Sequence, residues 1–520
     1  MSGGMSENRP GRDRRAVRHR GRPGAADARG RRVAVVGGGI AGLAAATALA
    51  ERGVAVTLVE STGRLGGRVA AWPLPDGRTM SRGFHAFFRQ YYNLRALLRR
   101  VDPELRMLTP VADYPLQRPD GPRDSFAGLP RTPPWSVLRF VQRNPAFTPA
   151  ALARVNVPAA LELMRVRFPE TYSRYDGESA AAFLDRLRFP AGARDLALEV
   201  FARSFFADPC EFGAGEMVAM FHSYFIGSAE GLLFDVPRDD YDSALWAPLG
   251  DYLGRLGVEI VTGARVDGVA LGGERASISV DGSVEPVDAV VLAADPRAAR
   301  GIVAGLDAVE APGFSAWQDA VAAARNAPPF VVVRLWLDRL VAPDRPAFLG
   351  TSGYGRLDNV SVLERFEAGA SAWASGQRGS VVELHAYACD PGVLGDAAAS
   401  ETVVRELEEQ LHAVYPETTS AGVIAREVLV RDDCPLSGTD PWAARAGVRT
   451  PSPQLMLAGD WVRCDYPVAL MERAATTGFL AANALLEGWG AAGHDLWTAP
   501  MTGLLARGTR PAARVRRPGG

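Results

Sequence analysis

Two groups of residues in this 520-residue chain have types and spacings that do chemistry. Gly37-Gly38-Gly39-Ile40-Ala41-Gly42 follows the apolar run Val33 to Val36 and leads into an Ala- and Leu-rich stretch; a second apolar run, Val54 to Val59, ends on Glu60. Strand, glycine turn, helix, strand and acid, with the acid about 20 residues past the turn, is the arrangement that binds a dinucleotide. Gly37 permits the tight turn, Gly39 lets backbone approach a pyrophosphate, and Gly42 lets helix and strand pack closely. The helix N-terminus, including Ile40 and Ala41, offers free N–H groups to phosphate, and Glu60 can accept hydrogen bonds from ribose hydroxyls. The second group is titratable. His85 sits among Phe84, Phe87 and Phe88, and its ordinary pKa near neutrality suits it to collect a proton. His222 lies with Tyr224 in the apolar segment Met220 to Phe225, while Glu230 and Asp235 bracket Gly231 to Phe234 as alternative bases. A histidine among phenylalanines is often only a satisfied hydrogen-bonder, and Phe84, Phe87, Phe88, Phe205, Phe206 and Phe225 suit either cation stabilisation or plain core.

The elements that must position these groups are spread along the chain. Strand-like runs recur at Val258 to Val261, Ala264 to Leu271, Ala276 to Val280 and Val287 to Ala293. Leu455-Met456-Leu457-Ala458-Gly459-Asp460 forms a late strand and turn before a helix expected over Val468 to Leu486. The fold class expected is α/β, a Rossmann-type domain of parallel sheet plus β-meander with an inserted, helix-rich, mixed α+β substrate domain. Its nucleotide domain is discontinuous, 32–115, 235–300 and 440–490, and the substrate domain takes 116–234 and 301–439. Helices are expected at Ala150–Phe168, Ser179–Leu187, Arg194–Phe206 and Glu401–Val414, and strands at Phe330–Leu337 and Ser380–Ala388. Residues 1–31, rich in Arg, Gly and Pro, and the last ten or so residues, which repeat that bias, are expected to be disordered, and 491–520 is set apart as a C-terminal tail.

Composition narrows the function classes. The net charge of −1 gives no global case for nucleic acid, and 47% hydrophobic residues are enough for a sizeable core. Every one of the 58 basic residues is arginine, so mechanisms that depend on lysine, Schiff bases included, are excluded. Cys210, Cys389, Cys434 and Cys464 lack paired spacing, which argues against a metal centre or a disulfide framework and fits a reducing cytoplasm. Arg14-Arg15 is followed by no apolar export segment, and no run reaches the ~20 apolar residues of a spanning helix.

Gly63-Arg64-Leu65-Gly66-Gly67-Arg68 after the acid, together with Gly459-Asp460, resembles the flavin amine oxidase and carotenoid desaturase superfamily, in which these segments hold FAD. Ser81 to Leu94, Phe201 to Phe206, Gly231 to Pro237 and Asp460 to Asn483 are similar to the bacterial β-carotene desaturase/methylases, the isorenieratene synthases. That resemblance covers about 32–490. It implies that Gly37, Gly39, Gly42 and Glu60 hold the ADP half, that Gly66, Gly67 and Arg68 lie by the pyrophosphate, and that Val266 meets adenine through its backbone. It also implies that Gly459 and Asp460 serve the ribityl side and that Leu470, Met471 and Glu472 adjoin the flavin ring. The implied reaction desaturates and aromatises a β-ionone ring with 1,2-methyl migration; desaturation of acyclic carotenes is the alternative, and amine oxidation a further one. A carotenoid substrate, an electron acceptor such as a quinone, and a cytoplasmic location peripheral to the inner membrane face follow. Membrane docking is expected within 135–235, with Trp135, Leu138, Phe140 and Ala150–Phe168 as candidates.

Overall fold

The computed structural model describes residues 11–119, 148–189, 205–307 and 311–506, with positions 125, 128, 130, 132, 135, 139 and 142 between the first two stretches. Leu138, Phe140 and most of the expected helix Arg194–Phe206 lie outside the described residues, as do the ends 1–10 and 507–520.

The apolar runs read from sequence meet in one parallel sheet. Arg32–Val36 (β1), Ala55–Glu60 (β2), Glu259–Thr262 (β3), Ala289–Leu292 (β4) and Leu455–Leu457 (β5) stand in the order β3-β2-β1-β4-β5. Every neighbouring pair is parallel. Strands covered on both faces must be apolar throughout, and Val33, Val35, Leu58, Val290, Val291 and Leu292 are all buried. The helix Ile40–Ala50 (α1) is buried along its whole length, which explains why its sequence is Ala-rich and not amphipathic. It packs on the long helix Leu470–Gly488 (α3), and a Cβ at Gly478 would come within 2.2 Å of Ala41 O, so glycine there sets the close approach.

A meander of Val266–Ala270, Ala276–Val280 and Ser283–Val287 joins β3 to β4. The run expected as one strand from Val287 to Ala293 is divided at Asp288, whose carboxylate accepts the Arg32 N–H and whose own N–H donates to Arg32 O; the chain passes there from meander to parallel sheet. The second layer is a six-stranded sheet ordered Val423–Arg431, Phe330–Leu337, Ser380–Ala386, Asn359–Val362, Phe348–Thr351 and Leu116–Gln117. Its second face is covered by the helix Ala397–Val414. The expected helix Ala150–Phe168 is instead Pro149–Leu152 and Val157–Glu162, with Asn156 capping the second through Ala159 N.

The expected disorder of the N-terminal tail is corrected over its described residues, 11–31, while the last ten or so residues lie outside the described residues. Val17–His19 pairs antiparallel with Leu496–Thr498, Arg18 bridges Asp495 at 2.5 Å, and Arg22 bridges Glu487 at 2.6 Å. Backbone N–H groups of Arg12 and Asp13 donate to Glu230. Composition alone reads an Arg-rich stretch as solvated; here the acids that bind it come from elements hundreds of residues away.

Candidate functional site

One cavity of about 1500 Å³ runs between the two layers. Its polar end is built by the turn between β1 and α1. Gly37 has φ +108, and a Cβ on it would sit 2.6 Å from Ala293 O. A Cβ on Gly42 would lie 1.9 Å from Gly37 O, so Gly42 serves packing and does not line the cavity. Gly39 is different: a Cβ there meets only Gly67 Cα at 3.8 Å and would project into open space. Gly39 is also the N-cap of α1 without any side-chain cap, leaving first-turn N–H groups of Ile40 and Ala41 to face the cavity. Gly66 and Gly67, both at positive φ, run beside this turn, with Gly66 N donating to Gly38 O at 2.9 Å.

Glu60, at the end of β2, is fixed before any ligand arrives: Oε2 accepts Gly38 N–H at 2.7 Å, and Oε1 accepts Thr62 N and Thr62 Oγ1, each at 2.8 Å. Carboxylate oxygens carry more lone pairs than these bonds use. Val266 lines the same end. From the far end of the sequence, Gly459 (φ +149) follows β5, and Asp460 projects toward Arg68. The pair is bidentate at 2.8 and 2.6 Å. Burial alone would lower Arg68, but Asp460 outweighs it and raises the guanidinium further. Arg68, expected to lie by the pyrophosphate, is held by the acid expected on the ribityl side, and both line the cavity.

The helix expected from Val468 begins at Leu470, which adopts φ +53, and Leu470, Met471 and Ala474 form the wall there. Glu472 turns away from that wall. It accepts Asn93 N and Leu94 N at 2.8 and 2.9 Å and so caps the helix Tyr92–Leu98 (α2). Burial pushes its carboxyl up to about 8 against those two bonds. Arg473 next to it is paired with Glu216 at 2.5 Å, and Glu216 also takes Arg445. Burial would raise Glu216, yet the two guanidinium groups hold it below the usual carboxylate range.

The apolar end is walled by Phe84, Phe88, Tyr91, Tyr224, Phe225 and Phe234. Phe88 meets Tyr224 edge-on at 4.7 Å, and Tyr91 and Tyr224 share a hydroxyl bond of 2.6 Å. Phe206 also lines the space, whereas Phe87 and Phe205 are core.

The proposed bases separate. His85 borders the cavity, with Nδ1 2.8 Å from Gly83 O. Burial lowers it to about 4, so it stays neutral and holds a proton poorly at neutral pH, contrary to the expectation from its ordinary pKa. His222 is fully buried, bonds Pro500 O at 2.7 Å and does not reach the cavity. Asp235 does not line it either; Arg89 and Arg95 hold it at 2.9 and 2.7 Å. Both are structural because the strand and helix that carry them turn their side chains into the protein. Residues that sequence reasoning passed over include Arg82, paired with Asp433 at 2.6 Å on the cavity wall, and Tyr387. For Tyr387 a signal existed: Glu383, His385 and Tyr387 alternate, which places them on one face of a strand.

Comparison with known proteins gives three findings. Residues 40–486 match the family described as flavin containing amine oxidoreductase. A Streptomyces griseus protein named carotenoid phi-ring synthase is 55% identical over 486 residues, 92% of each chain; a Chlorobaculum tepidum protein of the same name is 28% identical over 611 positions, 92% of this chain and 91% of its own. Among solved structures, cyclohexylamine oxidase from Brevibacterium oxydans superposes with a TM-score of 0.64 at 15% identity, covering 88% of this chain and 98% of its own.

Proposed function

The chain belongs to the flavin containing amine oxidoreductase family, is an FAD-dependent oxidoreductase with a Rossmann-type fold, and from that premise we propose that it desaturates and aromatises the β-ionone end ring of a carotenoid such as β-carotene, with 1,2-methyl migration. The observation that carries the reading is that one continuous cavity joins a cradle suited to a nucleotide with an aromatic chamber. Its volume exceeds the roughly 300–1,000 Å³ that holds one drug-sized ligand, leaving room for a dinucleotide and a large apolar partner together. The names of the two relatives place their activity on a carotenoid ring, which favours a ring reaction over desaturation of an acyclic chain.

The residues fit FAD. The open side of Gly39, the uncapped N-terminus of α1 and the fixed carboxylate of Glu60 suit the ADP half, and the Arg68–Asp460 pair and Met471 stand along the remainder. FAD, when bound, supplies a two-electron acceptor for hydride removed from the ring. Phe84, Phe88 and Phe234 orient the ring, exclude water and present π-faces to a cationic carbon skeleton. The gem-dimethyl carbon of a β-ionone ring blocks simple dehydrogenation to an arene, so one methyl moves to the neighbouring carbon while two hydrides and two protons leave.

No helix among the described residues is long and apolar enough to cross a membrane. A carotenoid partitions into bilayers, so the reading includes peripheral docking at the inner membrane face, where a quinone serves as electron acceptor. Expression in a β-carotene-producing host followed by pigment analysis tests the function. An aromatic-ring carotenoid is the expected product; unchanged β-carotene beside folded, flavin-loaded protein refutes the assignment.

A further inference from the structure

The strand Ser380–Ala386 carries Glu383 and His385 on one face, and Tyr387 follows at its end. Their polar atoms form a continuous line. Arg334, opposite Glu383 in the neighbouring strand, donates to Glu383 Oε2 from Nε at 3.0 Å and from Nη2 at 2.6 Å. Glu383 Oε1 lies 2.8 Å from His385 Nε2, and His385 Nδ1 lies 2.7 Å from the Tyr387 hydroxyl. Arg334, Glu383 and His385 are buried, while Tyr387 is half-buried on the cavity wall with its ring against Phe206 at 4.7 Å. Gly83 packs closely on His385, where a Cβ would fall 2.9 Å from Cε1, and the bonds to Glu383 and Tyr387 at the two ring nitrogens orient the imidazole.

Proton positions follow from the ends of the line. Burial opposes ionisation of Glu383, but Arg334 overrides it and holds the carboxyl down to about 2. An ionised carboxylate only accepts, so the His385 proton sits on Nε2. The Phe84 N–H, 3.4 Å from the same nitrogen, is too distant to compete with a 2.8 Å carboxylate bond. Nδ1 therefore holds a lone pair, and the Tyr387 O–H donates to it. Tyr387 lines the cavity, and the bond to His385 leaves its oxygen with acceptor capacity unused.

We propose that Tyr387 is the group that receives protons from the substrate ring, handing its own proton to His385, with Glu383 and Arg334 as positioning residues. The inference rests on the ring reaction proposed above. In each cycle hydride removal leaves a cation; a ring C–H bond then breaks, its electron pair becomes the new C=C bond, and the proton bonds to the Tyr387 oxygen as the original phenolic proton moves to His385 Nδ1. The imidazolium is stabilised by Glu383. Before the next cycle the proton returns through Tyr387 to water entering the cavity. The phenol never becomes a phenolate, in accord with burial, which pushes Tyr387 well above its ordinary range. His85 has no comparable second group to share the charge, since its Nδ1 is engaged by Gly83 O.

The test uses full-length, FAD-loaded enzyme with β-carotene in detergent-lipid micelles and a quinone acceptor. Tyr387→Phe keeps the ring that packs on Phe206, and His385→Gln keeps hydrogen bonding without a site for the proton. Each is expected to lower kcat by about 100-fold or more, the lower end of general acid–base effects, with KM for β-carotene and bound FAD within about threefold of wild type. A solvent deuterium effect on wild-type kcat is expected to vanish in Tyr387→Phe. Aromatic product formed at the wild-type rate by both variants overturns the relay and leaves the ring reaction standing. Loss of FAD from both variants also overturns it, by making the role structural. Wild-type enzyme that makes no aromatic product brings down the ring reaction and the relay with it.

Discussion

Arg68 and Asp460 stand 392 positions apart and meet in a bidentate pair with contacts of 2.8 and 2.6 Å. The pair ties the segment after β2 to the turn after β5, so two walls of the cavity's polar end are locked to each other by charge as well as by the parallel sheet. Asp460 is a tenth exposed and Arg68 about a quarter; solvent therefore screens the pair only in part.

Removing one member should loosen FAD more than it loosens the fold. Asp460→Ala is expected to raise the FAD dissociation constant by roughly 10- to 100-fold, the about 1.5–3 kcal/mol of a hydrogen bond to a charged group. Flavin fluorescence titration of apoenzyme measures it. Unchanged affinity would show that the pair is scaffolding alone.

Gly39 and Gly42 are separable by the same substitution. Gly39→Ala places its methyl in open space, 3.8 Å from Gly67 Cα, so the apoprotein should keep its Tm within about 2 °C while losing FAD. Gly42→Ala drives a methyl to 1.9 Å from Gly37 O and should destabilise the apoprotein by about 1–3 kcal/mol or more. Equal Tm losses in the two variants contradict the distinction between a cradle glycine and a packing glycine.

Acid sensitivity should trace in part to His222. The unfolded chain binds this proton near pH 6.5, whereas burial lowers the folded group to about 4. Between those values the unfolded state binds more protons, so stability falls as pH falls, by up to about 1.4 kcal/mol per pH unit. His222→Gln, which still donates to Pro500 O, should lose about 2 kcal/mol less than wild type between pH 7 and pH 5 in urea unfolding. Glu472, raised to about 8 by burial, acts in the opposite direction, favouring the fold as pH falls, and cancels because both proteins carry it. Parallel stability curves would refute the assignment.

Vesicle binding is expected to depend on exposed apolar residues near 157 and 505. Trp135, Val157 and Leu505 are 62%, 57% and 44% exposed, and Leu505 N donates to Met164 O, which places it beside the helix that Val157 starts. Val157→Asp with Leu505→Asp should weaken flotation with anionic liposomes by about tenfold or more, since burying one such side chain is worth about 1.5–3 kcal/mol. Flotation equal to wild type removes this face from the docking proposal.

Local sequence carried much of the polar end of the site. The β1–turn–α1–β2 unit is contiguous, its glycines are required by φ and by close approach at neighbouring positions, and apolar runs of that length bury themselves in a sheet wherever it forms. Glu60 and the late Gly459-Asp460 step were legible for the same reason: each follows a strand, where ligands of open α/β sheets bind. The proton-handling residues were not. His85, His222 and Asp235 have the same side-chain chemistry in sequence whether they face a cavity or the core, and their pKa values depend on burial and on partners such as Arg89 and Arg95 that no spacing reveals. The Arg-rich N-terminal segment failed as a disorder signal for a related reason, because its acids arrive from residues 487 and 495.

The amino-acid sequence by itself therefore determined the glycine turn with its flanking strands and helix, the parallel strands and the exclusion of lysine chemistry, all of which depend on residue type and near neighbours. Only the tertiary structure decided which titratable groups reach the cavity and how Arg68 is paired. It alone set Glu383 against Arg334 across two strands, since electrostatics and desolvation act through space between groups that the chain separates.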